Sequence, residues 1–163
     1  MLAELPTVFE LRMAAFLRYC DKGGEDLLRR LRLSNKSATR IRVLLLLCDE
    51  PWDRVDESRV RRLMAKAAPY GEDLAPLVKV GFFEIEKSDR ARVLDMMTAI
   101  QERGDCLSPR DLAIGGRELV QAGFSGSDVG RVLANLYEAV LDDPEKNQKE
   151  ILTKMAENMR QRP

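Results

Sequence analysis

The sequence predicts an all-α protein, an irregular array of about eight short helices in two small lobes. Apolar residues recur at spacings of three and four along most of the chain, which is the period of a half-buried helix. Only 6% of the 163 residues are aromatic, so the core must consist of Leu, Val, Ile, Ala and Met, a composition that favours helices over a sandwich of sheets. No Asn-Gly or Asp-Gly turn joins two apolar runs, so no hairpin is predicted.

The first predicted helix carries an apolar stripe on one face, and Gly23-Gly24 ends it. The stripe consists of Phe9, Met13, Phe16, Leu17 and Cys20. A short helix follows around Leu27, Leu28 and Leu31 and stops at Ser34-Asn35. These two residues are good N-caps for a third helix.

The third helix presents Ile41, Leu44, Leu45 and Cys48, and Pro51 closes it. Asp56 can cap a fourth helix. The apolar face of that fourth helix contains Val60, Leu63, Met64 and Ala67. Its predicted end is at Pro69 and Gly71.

Residues 73–87 have a mixed pattern and are predicted to form a connector between a lobe at 1–72 and a second lobe at 88–163. The second lobe begins with a helix from about Ser88 to Gly104. Two strong helices close the chain, separated by Pro144. The first is expected to bury Val129, Val132, Leu133, Leu136, Tyr137 and Val140, and the second Ile151, Leu152, Met155 and Met159.

Composition excludes several functional classes. The chain has no histidine, which rules out Ser-His-Asp and Cys-His nucleophile sites and Cys₂His₂ zinc fingers. Cys20, Cys48 and Cys106 show no C-x-x-C spacing, so we interpret them as buried thiols in a reducing cytoplasm. The longest apolar run, Val43 to Cys48, is too short to cross a bilayer, and no membrane partner is expected.

Paired carboxylates in a catalytic arrangement are also missing from the sequence. Three pairs are adjacent in sequence and would point in different directions on a helix: Asp142-Asp143, Asp49-Glu50 and Asp56-Glu57. No Asp-x-Asp occurs. We therefore expect no metal, no cofactor and no general acid/base site in this chain.

A basic run is the first feature that could carry function. Twenty-seven Lys and Arg balance twenty-seven Asp and Glu, yet residues 1–48 hold nine cations against five acids and the remainder holds eighteen against twenty-two. Six of the cations lie from Arg29 to Arg42 without an acid: Arg29, Arg30, Arg32, Lys36, Arg40 and Arg42. Next to a helix start at Ser34-Asn35, they suit a bound phosphate; the alternative is a solvated basic face.

A glycine cluster is the second feature. It consists of Gly115, Gly116, Gly123, Gly126 and Gly130. The spacing fits neither a G-x-G-x-x-G fingerprint nor a P-loop. It predicts a tight turn at Gly115-Gly116, a C-cap at Gly123, a helix start at Gly126-Ser127 and a close backbone approach at Gly130. The alternative interpretation is punctuation between helices.

The same region resembles a known family. Residues 112–119 read Leu-Ala-Ile-Gly-Gly-Arg-Glu-Leu, which is similar to the Leu-x-Ile-x-Gly-Lys-Asp-Leu in the C-terminal tail of bacterial CCA-adding tRNA nucleotidyltransferases (the poly(A) polymerase/tRNA nucleotidyltransferase family). Other matching positions follow in order: Gly123, Gly126, Gly130, Leu133, Leu136, Val140, Asn147 and Leu152. Residues 28–36 look like the family's body region, so the resemblance spans roughly residues 9–155.

The sequence departs from the family pattern in two ways. Gly-Lys-Asp-Leu becomes Gly116-Arg117-Glu118-Leu119, and Pro-Gly-Pro becomes Ser125-Gly126-Ser127. The metal-binding Asp-x-Asp of the family's catalytic head is not in this chain. The spacing Glu-Asp-x-x-Arg, which selects the nucleotide in the family's neck, occurs once, at residues 25–29 within the body-like lobe. The resemblance therefore implies a body-like lobe and a tail-like lobe without catalytic residues, and the family's Mg²⁺ would belong to the absent head.

The resemblance also implies a function: binding the acceptor and TψC arms of tRNA so that its 3′ end can be matured with CCA. Its partners would be tRNA and a catalytic head on the same or a separate chain, with no DNA. The residues expected to contact tRNA phosphates are Arg29, Arg32, Asn35, Lys36, Arg40, Arg117, Gly126, Ser127 and Arg131. The alternative is a helical protein-interaction or oligomerisation domain that does not bind RNA.

Overall fold

The computed structural model describes residues 2–20, 24–52 and 55–160, which form an all-α fold with no strand in these ranges. The helices of the described chain are α1 (Phe9–Leu17), α2 (Gly24–Arg30), α3 (Asn35–Leu46), α4 (Glu57–Ala67), α5 (Leu74–Val80), α6 (Arg90–Arg103), α7 (Gly116–Gln121), α8 (Ser127–Asp142) and α9 (Lys149–Arg160). The chain divides into two compact units, Met1–Ile100 and Gln101–Pro163. The fold class predicted from periodicity is confirmed.

Side-chain caps fix the starts of α3 and α4 where the sequence predicts them. The Ser34 hydroxyl accepts a hydrogen bond from the Ser37 amide at 3.1 Å. The Asp56 carboxylate accepts one from the Arg59 amide at 2.8 Å. Each cap satisfies an amide that has no partner within its own helix.

The buried face of α1 differs in part from the predicted one. Helix α1 packs on α3. Its buried residues are Leu17, which belongs to the predicted stripe, and Leu11, Ala14 and Ala15, which do not. Phe16, predicted to lie on the packing stripe, is 52% exposed. A tertiary contact of this kind, which the local sequence pattern does not contain, decides which face is buried.

The division into units does not fall at the connector predicted over residues 73–87. That segment belongs to the first unit and buries Leu74, Leu77 and Val78 on α5, followed by Phe82 and Phe83. The Phe83 ring stacks on Trp52 with centroids 4.2 Å apart. Pro76 lies in the first turn of α5, where its missing amide proton costs little.

The second unit has its own core between α7, α8 and α9. Val132, Leu136 and Val140 of α8 are buried together with Leu152 of α9, as predicted. The buried Ala156 was not predicted, and Val129, Leu133, Tyr137, Met155 and Met159 are only partly buried around this core. No helix in the described ranges is long and apolar enough to span a bilayer.

Two predictions about small residues need correction. At Gly130, an added Cβ would meet no atom of the described residues within 4 Å, so none of their backbone approaches this position. Cys106 is buried, but Cys20 and Cys48 are only partly buried. Burial raises the pKa of the Cys48 and Cys106 thiols to about 11, so both stay protonated at neutral pH.

Candidate nucleic-acid interface

The turn between α2 and α3 carries a group of exposed residues that we call the α2–α3 basic surface. It consists of Arg29, Arg30, Arg32, Asn35 and Lys36, all exposed. Arg29 and Arg30 both pair with the carboxylate of Asp26, Arg30 through Nε at 2.8 Å. One carboxylate is therefore shared by two guanidinium groups, so the surface keeps a net positive charge.

Arg32 and Lys36 are the strongest candidates on this surface. Neither side chain forms a hydrogen bond or ion pair with any residue in the described ranges. The backbone of Arg32 is left-handed, with φ 46°, a conformation that non-glycine residues seldom adopt. Lys36 lies in the first turn of α3, where the positive end of the helix dipole adds to its own charge.

Arg40, which the sequence groups with the phosphate-binding residues, is committed to an internal ion pair. Its Nε lies 2.6 Å from Oδ2 of Asp73, and its side chain is 20% exposed against 4% for Asp73. The guanidinium also lies 5.7 Å from the centre of the Tyr70 ring. The hydrogen bond that Arg40 donates to the Asp73 carboxylate raises the pKa of Arg40. Because its fork is occupied, Arg40 is not part of the α2–α3 basic surface.

Glu10 of α1 supports the start of α3. Its carboxylate accepts a 2.8 Å hydrogen bond from the Ser37 hydroxyl, and the Arg40 guanidinium lies 3.9 Å away. The bond from Ser37 is the main reason why the pKa of Glu10 is lowered from 4.5. The backbone that presents Asn35 and Lys36 is thereby tied to the core.

In the second unit, the start of α7 is organised by Glu118. Its carboxylate accepts a 2.9 Å hydrogen bond from the Gly115 amide, which lowers its pKa. A Cβ on Gly116 would lie 3.5 Å from the Val129 side chain of α8. The predicted turn at Gly115-Gly116 is thus a helix start, and Arg117 is exposed in its first turn.

The start of α8 is less basic than the sequence suggests. Gly126 has φ 56° and precedes Ser127, the first residue of the helix, as predicted. Both residues are exposed. However, Asp128 lies in the first turn and pairs with Arg131 at 2.9 Å, so a carboxylate balances the nearest cation.

Asn147 hydrogen-bonds to backbone groups of a segment more than 30 residues earlier in the chain. Its Oδ1 accepts a 2.8 Å hydrogen bond from the Ala113 amide, and its Nδ2 donates a 3.0 Å bond to the Asp111 carbonyl. The Tyr137 hydroxyl similarly donates a 2.8 Å bond to the Leu107 carbonyl. Two residues that carry the family resemblance, Glu118 and Asn147, therefore hold the loop over 111–115 in place.

The predicted phosphate-binding residues form two groups. Arg29, Arg32, Asn35 and Lys36 lie in the first unit, while Arg117, Gly126, Ser127 and Arg131 lie in the second. Within the described ranges, no group of three or more Cys, Asp or Glu residues could hold a metal ion. The expected lack of a cofactor stays a prediction.

One pair of arginines was not singled out from the sequence. Arg18 and Arg90 line one cavity in the first unit. Arg18 directly follows α1 and Arg90 begins α6, so no local motif joins them. A charge run could not have identified them, because Arg18 stands alone between Leu17 and Tyr19 and Arg90 directly follows Asp89.

Comparison of the chain with models of protein families, with curated proteins and with solved structures found no match.

Proposed function

We propose that this chain is a tRNA-binding module, the non-catalytic body and tail of a CCA-adding tRNA nucleotidyltransferase. The observation that carries the proposal is the α2–α3 basic surface, where Arg32 and Lys36 extend into solvent beside a capped helix start. Surface cations at a helix start suit phosphates, which bind without reading base sequence.

The resemblance over residues 112–119 and at Asn147 supports the same proposal. In the structure these residues form a hydrogen-bonded loop that presents Arg117 at its surface. A module that recognises the shape of folded RNA needs such a fixed loop, because phosphates are contacted at set distances. In this proposal, the catalytic carboxylates and Mg²⁺ belong to a separate head.

A salt titration tests the proposal. The affinity for a tRNA lacking its CCA end is measured by fluorescence anisotropy at several salt concentrations. With three to four neutralised phosphates, the slope of log K against log salt should be about −3. A slope near zero, or no binding of tRNA at low salt, would contradict the proposal.

A charge reversal tests the placement. The double variant Arg32→Glu/Lys36→Glu should weaken tRNA binding at least about tenfold, since two favourable contacts become repulsive. Lys154→Glu is the matched control, an exposed cation on α9 outside the predicted set. Equal affinities for the two variants would refute the placement.

The second candidate function is a protein-interaction or oligomerisation domain. It is favoured by the exposed side chains of Phe16 and Tyr19, which line one surface pocket together with Leu2, and by the exposed Phe9. Apolar groups that cluster on a surface often mark contact sites. This candidate predicts a dimer or a bound protein, and no preference for tRNA over random RNA. Light scattering after size exclusion, with a competition assay between the two RNAs, separates the candidates.

A further inference from the structure

A cavity of about 730 Å³ lies in the first unit, and its walls carry charged and aromatic side chains. Arg18, at the end of α1, and Arg90, at the start of α6, contribute two guanidinium groups. The segment from Gly81 to Asp89 supplies most of the remaining wall. This volume is in the range of small-ligand sites.

Arg18 is mostly buried but poorly paired. Its side chain is 17% exposed, and its guanidinium lies 5.4 Å from the centre of the Phe82 ring. Its ion pair with Glu84 has a distance of 3.7 Å, too long for a hydrogen bond, and Glu84 is 85% exposed. Because no fully buried polar side-chain atom among the described residues lacks a partner, the Arg18 donors are open to solvent at the cavity wall.

Arg90 lies flat against Gly81. A Cβ at Gly81 would be 2.3 Å from Nη2 of Arg90 and 2.7 Å from Nη1, so only glycine leaves room for the guanidinium. Nε of Arg90 makes a long 3.4 Å hydrogen bond to the Ile85 carbonyl. Neither Nη atom has an acceptor in the described part of the chain.

Three acidic residues also line this cavity, and two of them are exposed. Glu84 and Glu86 are exposed, and Asp89 is directed to Arg92 at 3.6 Å. Lys87 is exposed as well. Glu84 and Glu86 therefore stand at the exposed rim of the wall, whereas Arg18, Arg90 and Asp89 are partly buried.

We propose that this cavity binds a phosphate monoester, with Arg18 and Arg90 as its ligands. Each guanidinium presents a planar fork of donors that matches two oxygen atoms of an oxyanion. A monoester offers three oxygens to the two forks, whereas a carboxylate or an internal RNA phosphodiester offers two. The site is distinct from the α2–α3 basic surface and does not depend on tRNA binding.

Calorimetry with inorganic phosphate and with AMP tests the site. Both probes should bind the full chain saturably, and Arg90→Gln should weaken each at least about tenfold, the effect of one lost charge-assisted pair. Lys79→Gln, an exposed cation of α5 outside the cavity, should leave the affinity within about twofold, as expected for a screened charge. Tighter binding of AMP than of phosphate would identify a nucleotide as the better source of the group.

Two further variants keep the test independent of folding defects. Glu84→Gln removes the exposed carboxylate that pairs with Arg18 and should strengthen phosphate binding, because a repulsive charge is lost from the wall and the Arg18 donors are freed. Gly81→Ala places a Cβ where the Arg90 guanidinium lies without changing the charge, but it also strains a residue with φ 76° at the end of α5. It should weaken phosphate binding, and it is compared only if its circular dichroism and urea midpoint match those of the wild type. Absence of saturable binding to the wild-type chain, or equal affinities for Arg90→Gln and Lys79→Gln, would overturn the proposal.

Discussion

Asn147 shows how a residue that suggests function can act through structure. Its amide group bonds to the Ala113 amide and the Asp111 carbonyl, which lie in an irregular segment far away in sequence. Without the Asn147 side chain, both backbone groups would need hydrogen bonds to water instead. The residue therefore positions the loop that leads to Arg117.

Replacing Asn147 should destabilise the second unit. Asn147→Ala removes two hydrogen bonds and should cost about 1 to 3 kcal/mol in the free energy of unfolding. Asn147→Asp keeps the acceptor but sets a carboxylate oxygen against the Asp111 carbonyl, so its cost at pH 7 should be similar or larger. Urea unfolding followed by circular dichroism measures both.

Lys146→Ala is the neighbouring control, because its ion pair with Asp143 is exposed and spans 3.4 Å. It should change stability by less than about 0.5 kcal/mol. An equal loss in Lys146→Ala and Asn147→Ala would show that the Asn147 bonds are not important for stability.

Glu10 should give the first unit a dependence on acid pH. Its pKa is lowered from 4.5, mainly by the Ser37 hydroxyl. A carboxylate whose folded pKa is depressed contributes stability above its unfolded pKa, and this stability is lost as the pH falls through the lowered folded value. In Glu10→Gln the contribution should be missing at neutral pH.

The stability difference between the wild type and Glu10→Gln should therefore be largest at pH 6–7 and decrease below pH 4.5. Chemical denaturation at a series of pH values measures it. A difference that is constant with pH would show that the charge of Glu10 does not matter.

Among the helices, α1 shows where sequence periodicity fails. It is apolar on almost every side, so the spacing of Phe9, Met13 and Phe16 is no better than that of Leu11, Ala14 and Ala15. The contact with α3 selects the second set, and no local pattern contains that information. By contrast, the starts of α3, α4 and α8 depend on local chemistry at Ser34, Asp56 and Gly126, and the sequence predicts all three.

Two substitutions on α1 test this assignment. Leu11→Ala should destabilise the protein by about 2 to 5 kcal/mol, the range for a buried leucine. Phe16→Ala should cost less than about 1 kcal/mol, because half of its surface is already exposed. Thermal unfolding of the two variants measures the difference, and the reverse order would support the face predicted from the sequence.

The candidate site was also predicted only in part, because tertiary contacts are not contained in the local sequence pattern. Exposed cations such as Arg32 and Lys36 follow from a run of charges and a cap. Arg40 belongs to the same run, yet its guanidinium forms an ion pair with Asp73, which lies 33 residues later in the chain. Arg18 and Arg90 were missed because folding alone brings them to one cavity.

At the scale of the whole molecule, each unit has its own core. Leu136 is fully buried in the second unit, and Leu44 is fully buried in the first. The chain contains a single tryptophan, and Trp52 stacks on Phe83 within the first unit. Indole fluorescence therefore reports on the first unit, while circular dichroism reports on the helices of both.

Leu136→Ala should lower the urea midpoint seen by circular dichroism and leave the fluorescence midpoint in place, since its cost of about 2 to 5 kcal/mol falls on the second core. Leu44→Ala is the matched variant in the first core and should lower the fluorescence midpoint. A shift of both signals by the same amount in Leu136→Ala would show that the chain unfolds as one cooperative block.

The loop held by Asn147 and Glu118 has a further consequence for hydrogen exchange. The amides of Ala113 and Gly115 lie outside any helix, yet each donates to a side chain rather than to water. Their protons should therefore exchange with deuterium more slowly than those of other irregular segments. Because Asn147 precedes α9 and Glu118 lies in α7, these two amides would record how often the second unit opens.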